Sequence, residues 1–148
     1  MKPLIAAVAV LVALAVGVQA QTPLIDRVRT EAEQGDVVAQ GLLGDWYHDG
    51  DRVSQDHVEA VRWYRLAADQ GDAAAQVSLG NMYDNGLGVQ QDDVQAHMWF
   101  NLAASQLTGE ARELVVENRD WVAFRMTPEQ IAEAERLARE WNEAHPRE

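Results

Sequence analysis

The side chains best suited to chemistry fall in one short stretch, where Asp45, His48, Asp49 and Asp51 follow one another closely. Carboxylates and imidazoles are common metal ligands, so this stretch has the composition of a cation site. Its spacing does not fit one, because His48 has no second histidine four residues later and no later glutamate completes a calcium loop after Asp49. We therefore predict a solvated turn here, with no metal and no cofactor.

No arrangement for covalent catalysis is visible in the sequence. Lys2 is the only lysine, and it lies in the leader segment described below, so a phosphate-binding loop and a Ser-x-x-Lys acylation site are both excluded. The serines Ser54, Ser78 and Ser105 have no histidine and acid motif around them. We predict that the chain has no catalytic residues and is not an enzyme.

The charge of the chain excludes two classes of partner. Its formal net charge is −12 at pH 7, and it has no cysteine. Nucleic acids and anionic membrane surfaces repel such an acidic chain, so we expect neither as a partner. Without disulfides, stability must come from packing alone.

The first twenty residues have the composition of an export signal. Lys2 supplies a positive charge, residues 4–18 form an apolar run, and Val18-Gln19-Ala20 places small residues where a signal peptidase cleaves. The run is shorter than the roughly 20 residues that span a bilayer, which favours cleavage over a retained transmembrane anchor. We predict a signal peptide over residues 1–20, no stable membrane insertion after cleavage, and a periplasmic or secreted protein.

The remaining chain is organised by a tandem repeat. Residues 35–70 and 71–106 are identical at 18 of 36 positions, which identifies an internal repeat. In each copy, apolar residues spaced three and four apart predict two helices, with a loop containing Asp49-Gly50 or Asn85-Gly86 between them. A unit of this kind buries its apolar face against its neighbours, so we predict an all-α solenoid.

Local signals mark the helix starts and one close contact. An aspartate that can accept hydrogen bonds from free backbone amides precedes each of the four predicted helices: Asp36, Asp56, Asp72 and Asp92. Glu59 and Gln95 lie three residues after two of them and predict capping boxes. Gly44 and Gly80 lie inside the first helices, where glycine costs about 1 kcal/mol relative to alanine, so we expect a neighbouring helix to approach closely there.

The loop of the first copy departs from that of the second at Arg52, which stands where the second copy has Gly88. A positive φ at arginine costs on the order of 1 kcal/mol. We therefore expect the first loop to be the more irregular one.

Helices outside the repeat flank the two copies, one before them and two after them. Residues 21–34 predict an N-terminal capping half-repeat, and residues 107–148 predict a C-terminal pair of capping helices, the first starting at Thr108 and the second at Thr127-Pro128. The predicted inner face of the first capping helix consists of Ala111, Leu114, Val115, Asn118, Trp121 and Val122.

The tryptophans are predicted to pack in the core, and the isolated histidines are predicted to lie on the surface. All five tryptophans fall on predicted core stripes, which favours packing over a sugar- or peptide-stacking platform: Trp46, Trp63, Trp99, Trp121 and Trp141. The isolated histidines His57, His97 and His145 are predicted to be surface residues.

The second copy carries a pattern of more than ten fixed positions, namely Ala75-x-x-x-Leu79-Gly80-x-Met82-Tyr83-x-x-Gly86-x-Gly88-Val89-x-x-Asp92-x-x-x-Ala96-x-x-Trp99-Phe100-x-x-Ala103-Ala104. This pattern closely resembles the Sel-1-like repeat, a relative of the tetratricopeptide repeat. The resemblance covers both copies, and the tail from Arg119 to Trp141 is similar to the C-terminal ending of bacterial members.

The resemblance implies an α-solenoid adaptor that holds proteins together through a concave surface formed mostly by the first helices. Bacterial members are envelope, secretion, signalling and host-contact scaffolds. Some cysteine-rich relatives bind or hydrolyse β-lactams, so an envelope hydrolase of that type is the alternative, although the cysteines and the lysine of an acylation site are missing here. We predict a non-enzymatic protein–protein interaction scaffold exported to the cell envelope, with self-association as a further possibility.

One strip of each first helix is the candidate binding surface. Spacing of three and four places a small apolar floor (Val38, Gly41, Ala74 and Val77) in line with polar residues on one helix face. We predict that a protein or peptide with a basic segment binds this polar strip, although a merely solvated helix face remains the alternative for any single residue. The polar strip consists of Asp45, His48, Asp49, Asn81, Asp84 and Asn85.

Overall fold

The computed structural model describes residues 23–146, and the predicted export signal lies outside them. Within these residues the chain forms seven α-helices: α1 (Leu24–Glu33), α2 (Val37–Asp49), α3 (His57–Asp69), α4 (Ala73–Asn85), α5 (Asp93–Ala104), α6 (Gly109–Phe124) and α7 (Pro128–Ala144). None of the described helices has the length and apolar character needed to cross a bilayer.

The helices pack in the order expected of stacked helix pairs. The two copies form the pairs α2–α3 and α4–α5, and α3 packs on α4 to join them. At the ends, α1 packs on α2, while α6 and α7 both pack on α5. The prediction of an all-α fold of helix-turn-helix repeats with C-terminal capping helices is confirmed.

The predicted aspartate caps are present. In each repeat helix the carboxylate accepts a hydrogen bond from the backbone amide three residues later, at 2.7 to 3.1 Å: Asp36 from Ala39, Asp56 from Glu59, Asp72 from Ala75 and Asp92 from Gln95. These bonds satisfy amides that have no partner within a first helical turn. The helix boundaries in the repeats are thus set by local chemistry.

The capping-box prediction is wrong for α3 and α5. A capping box requires the side chain of the third helical residue to accept from the cap amide. That amide is already used, because the backbone nitrogen of Asp56 donates to the Tyr47 carbonyl at 2.8 Å and that of Asp92 donates to the Tyr83 carbonyl at 3.1 Å. These two bonds tie each second helix to the end of its first helix.

Glycine inside the first helices permits close aromatic packing, as predicted. A Cβ on Gly80 would lie 2.6 Å from the ring of Phe100, and a Cβ on Gly44 would overlap the ring of Tyr64. Both rings come from the second helix of the same repeat. The cost of glycine in a helix is therefore offset by contact between α2 and α3 and between α4 and α5.

The two loops share a backbone conformation at the position where their residues differ. Arg52 has φ +61° and Gly88 has φ +69°, so the prediction of a more irregular first loop is wrong at this residue. A side chain at position 88 would overlap the carbonyl of His57, so glycine is required there. The guanidinium of Arg52 instead lies 5.4 Å from the ring centroid of Trp46, and this contact offsets part of the left-handed strain.

Helix α6 is rotated relative to its predicted inner face. Val115 and Val122 are buried, but Leu114 and Trp121 are 62% and 67% exposed. Ala111 and Asn118 are exposed as well, and Thr108 makes no side-chain capping bond. The reason is that α6 contacts α5 through the stripe of Val115, Arg119 and Val122, with the Arg119 guanidinium donating to Asn101 at 3.3 Å. Trp121 is accordingly not a core residue, unlike Trp46, Trp63 and Trp99.

Helix α5 lies at the centre of the C-terminal half and is buried on nearly all sides. His97 on this helix is only 5% exposed, so its assignment to the surface is wrong. Burial, together with the positive charge of Arg119, lowers the pKa of His97 below its ordinary value. The imidazole therefore remains neutral in the folded protein near pH 7.

The core contains a glutamine ladder that the apolar pattern did not predict. Gln76 is fully buried; its amide donates to the Ala68 carbonyl at 3.2 Å, and its oxygen accepts from Gln106 at 2.8 Å. Gln40 and Gln70 repeat this arrangement one copy earlier. These shared polar residues fix the spacing of consecutive helices, because an unpaired buried amide is costly.

Candidate binding surface on the first helices

The polar strip lies along helices α2 and α4, and three of its residues meet at one cavity. The strip residues are exposed or half-buried in the structure. A cavity of about 170 Å³ opens between the two helices, and its lining combines polar groups from both copies: Asp45, His48, Tyr64, Ser78, Asn81 and Met82. We call the side of the molecule formed by α2, α4 and α6 the first-helix face.

Asp45 is held in the cavity by Tyr64. The phenol donates a hydrogen bond to the Asp45 carboxylate at 2.8 Å, and Tyr64 itself is buried. Burial and then this hydrogen bond raise the pKa of Tyr64 well above the ordinary value of a phenol. Tyr64 therefore stays protonated and acts as a fixed donor, and Asp45 has no cationic partner among the described residues.

Two acidic residues of the second copy, Asp84 and Asp93, share one arginine from outside the repeat. The guanidinium of Arg125, in the turn between α6 and α7, contacts Asp84 and lies 2.7 Å from the Asp93 carboxylate. Hydrogen bonds to Asp93 and Asp84 raise the pKa of Arg125, so it remains charged at any physiological pH. Of the three acidic residues in the strip, Asp84 is paired with an arginine, whereas Asp45 is bound by the Tyr64 phenol and Asp49 lies beside His48.

The histidines of the first copy occupy the positions of this acidic pair. His48 and His57 lie 36 residues before Asp84 and Asp93, and their ring centroids are 5.2 Å apart. His57 is therefore a half-buried neighbour of His48, which corrects its assignment as an isolated surface residue. In residues 23–146, no group of three or more histidines, cysteines and acids is arranged to hold a metal ion.

The remaining strip residues lie at the ends of the first helices. Asp49 is mostly exposed, with its carboxylate 3.9 Å from the Nε2 atom of His48. Asn85 donates from its side-chain amide to the Asn81 carbonyl at 2.9 Å. Their positions extend the polar end of the strip beyond the cavity toward the loops.

A serine, a histidine and an aspartate line the cavity, but they are not linked by hydrogen bonds as in a hydrolytic triad. Ser78 lines the cavity beside His48, a proximity that repeat spacing did not suggest. A hydrolytic triad requires an acid that orients the histidine. Asp45 is bound by Tyr64, and the Asp49 carboxylate lies 3.9 Å from the Nε2 atom of His48, beyond hydrogen-bond distance. The protonated phenol offers no base in its place.

An apolar groove lies between α4 and α6, on the same face of α4 as the cavity. Its volume is about 440 Å³, and it is lined by Ala74, Val77, Leu107, Ala111, Leu114, Val115 and Asn118. Ala74 and Val77 belong to the predicted apolar floor, but the contribution of α6 was missed. The sequence placed the apolar side chains of α6 in the core, whereas only part of that stripe is covered.

Comparisons with known proteins identify similar chains. The family model described as Sel1 repeat matches residues 37–72 and 73–106. A protective antigen present in uropathogenic Escherichia coli strains, whose crystal structure displays an SLR fold, is 36% identical over 82% of this chain, with a TM-score of 0.75. A Sel1 repeat protein from Oxalobacter formigenes is 40% identical over 56% of this chain, with a TM-score of 0.55.

The chain spans 25% of the length of the Escherichia coli structure and 63% of that from Oxalobacter formigenes. No curated protein matches the chain.

Proposed function

The chain is a Sel1 repeat protein, and from that premise we propose that it is a non-enzymatic scaffold, exported to the cell envelope, that binds a partner protein through its first-helix face. Repeats of this kind present extended surfaces, and specificity resides in the positions that differ between copies. Asp45 and His48 in the first copy, against Asn81 and Asp84 in the second, are such positions.

The proposal rests chiefly on the contacts of the Asp45 carboxylate. Its carboxylate lies at a cavity of about 170 Å³, is fixed by Tyr64, and has no cationic partner in the described part of the chain. A guanidinium or ammonium group entering the cavity would supply that partner. Once the bound partner shields the pair from water, a hydrogen bond between charged groups of this kind contributes about 1.5–3 kcal/mol.

The neighbouring groove suggests the shape of the ligand. Asn81 at the cavity and Ala74 at the groove are seven residues apart on α4, or about 10 Å along the helix axis. A segment lying along α4 would therefore place a basic side chain and an apolar side chain about this distance apart. An extended peptide or one helix of a partner meets this requirement.

Export is supported by the composition of residues 1–20, with its basic start, apolar run and small residues before Gln21. The description of one structural relative as a protective antigen also favours a location outside the cytoplasm. Mass spectrometry of the protein from its host tests this step. We expect a mature chain starting at Gln21, and recovery of the full-length chain in the membrane fraction would reject cleavage in favour of a retained anchor.

The binding proposal is tested by crosslinking in cells. A photoreactive residue replaces Asn81, at the cavity, or Val58, which is exposed on α3 and serves as the control position. We expect a specific product from position 81 only. Adding Asp45→Asn, which removes the charge but leaves an acceptor for Tyr64, should abolish that product.

The same experiment can reject the surface. Equal products from positions 81 and 58, or a product at position 81 that survives Asp45→Asn, would show that the cavity does not select the partner.

A further inference from the structure

The outer side of α6 exposes large apolar side chains that no described helix covers. Leu114, Trp121 and Phe124 are 62%, 67% and 85% exposed. The rings of Trp121 and Phe124 stack, with centroids 6.4 Å apart and planes inclined by 16°. Spacing of seven and three residues places the three side chains on one face of the helix.

Acidic residues share this face with the apolar ones. Glu110, Glu113, Glu117 and Asp120 are all exposed and follow the same helical spacing. Within the described residues, only Asp120 has a cationic partner, the Arg119 guanidinium at 2.8 Å. We call this surface the acidic aromatic face; it consists of Glu110, Glu113, Leu114, Glu117, Asp120, Trp121 and Phe124.

The face is continuous with the apolar groove on the first-helix face. Leu114 lines the groove of about 440 Å³ between α4 and α6. Glu117, Asp120, Trp121 and Phe124 surround a second, shallower depression farther along α6. A helix laid along α6 would therefore meet apolar contacts over about three turns.

We propose that the acidic aromatic face docks an amphipathic helix of a partner protein whose apolar stripe is flanked by arginine or lysine. This proposal rests on the proposed scaffold function and adds a second, chemically distinct part to its binding surface. Tryptophan and phenylalanine bury roughly 150–250 Å² each when covered, and such residues commonly dominate the binding energy of protein interfaces.

The acidic charge of the face favours a basic helix over two other occupants, a second copy of the chain and an anionic membrane. A second copy docking through the same face would bring four acids against four acids, and a symmetric interface cannot avoid that repulsion. An anionic membrane surface is repelled for the same reason. A helix with cationic flanks gains both apolar burial and charge complementarity.

The test uses three synthetic helical peptides of equal length and the full chain. The first peptide has leucine at every a and d position with arginine beside them. The second has the same composition in shuffled order, and the third replaces arginine with glutamate. Titration calorimetry compares wild type with the double variant Trp121→Ala/Phe124→Ala. A matched control, Val58→Ala/Leu66→Ala, removes exposed apolar side chains from α3 instead.

We expect the first peptide to bind wild type at least tenfold more tightly than the other two peptides. The α6 double variant should lose at least tenfold in affinity, and the α3 control should lose none. Circular dichroism should show unchanged helicity in both variants, because the replaced side chains are exposed.

Equal affinity of wild type and the α6 variant for the first peptide would overturn the proposal, as would equal binding of the shuffled peptide. A wild-type dimer in sedimentation equilibrium that dissociates in the α6 variant would replace the partner helix with a second copy.

Asp45→Asn should leave peptide affinity unchanged; if it instead abolished binding, the peptide would occupy the cavity and the acidic aromatic face would be rejected. If crosslinking at position 81 fails while the peptide still binds α6, the cavity is rejected and this face stands.

Discussion

Tyr64 donates a hydrogen bond to Asp45 across the α2–α3 pair, at 2.8 Å. In the second copy both partners change together, because Phe100 stands in place of Tyr64 and Asn81 in place of Asp45. The aromatic ring packs against a helix glycine in both copies. The ring therefore contributes to helix packing in both copies, whereas the hydrogen bond between a hydroxyl and a carboxylate occurs only in the first copy.

A double-mutant cycle on Asp45 and Tyr64 should show coupling. Tyr64→Phe removes the hydrogen bond at a cost of about 0.5–1.5 kcal/mol, while Asp45→Ala removes the acceptor of a buried hydroxyl, which keeps only its contact with Ser78, at about 1–3 kcal/mol. The double variant should be less destabilised than the sum of the two, by about 1 kcal/mol. Urea denaturation measures all four proteins, and strictly additive effects would show that the bond contributes nothing to stability.

Substituting alanine for helix glycines should have opposite effects at two positions. Gly80→Ala places a Cβ 2.6 Å from the Phe100 ring, so we expect destabilisation of about 1–3 kcal/mol from overpacking. Gly41→Ala on α2 meets nothing within 4 Å and should stabilise by up to about 1 kcal/mol through helix propensity. Thermal unfolding would contradict the packing model if both variants shifted the midpoint in the same direction.

His97 should make the fold sensitive to mild acid. Burial lowers its pKa in the folded state, so below about pH 6.5 the unfolded chain binds more protons than the folded one. Stability should therefore fall as the pH drops through this range. His97→Val, which installs the residue of the equivalent position Val61, should lose less stability than wild type between pH 7 and pH 5. Parallel pH profiles of the two proteins would show that His97 is not the titrating group.

Arg125 should hold the C-terminal cap against the second repeat. Arg125→Gln removes the cation shared by Asp84 and Asp93, and we expect a loss of about 1 kcal/mol that shrinks at high salt, because the pairs are partly exposed. Arg112→Gln, on the exposed side of α6, is the charge-matched control and should have little effect. Urea midpoints at low and high salt give the comparison, and equal losses for the two variants would rule out this role.

Local chemistry made much of the fold predictable from sequence. Asp36 and Asp92 cap their helices because the capping bond spans only three residues, and Gly80 marks a contact that recurs with the repeat. The inner face predicted for helix α6 is wrong because this helix lies outside the repeat. Its apolar pattern therefore could not be checked against a second copy. Its rotation depends on the contact between α5 and Arg119, and no rule based on neighbouring residues in the sequence predicts that contact.

The candidate site was only partly predictable for the same reason. The face holding Asp45, His48 and Asn81 follows from helical spacing. The pairing of Asp84 with Arg125 does not follow from helical spacing, because Arg125 lies 41 residues away, in the α6–α7 turn. The pairing of His48 with His57 likewise joins two helices, and Ser78 enters the cavity from the neighbouring repeat.

The central claim is that the cavity at Asp45 binds a basic side chain of a protein partner. The most direct measurement is the dissociation constant of the segment captured at position 81, for wild type, Asp45→Asn and Asp69→Asn. Asp69 is an exposed acid at the end of α3, so its variant removes the same charge away from the cavity. We predict at least tenfold weaker binding for Asp45→Asn and no change for Asp69→Asn. Equal affinities of wild type and Asp45→Asn would contradict the claim.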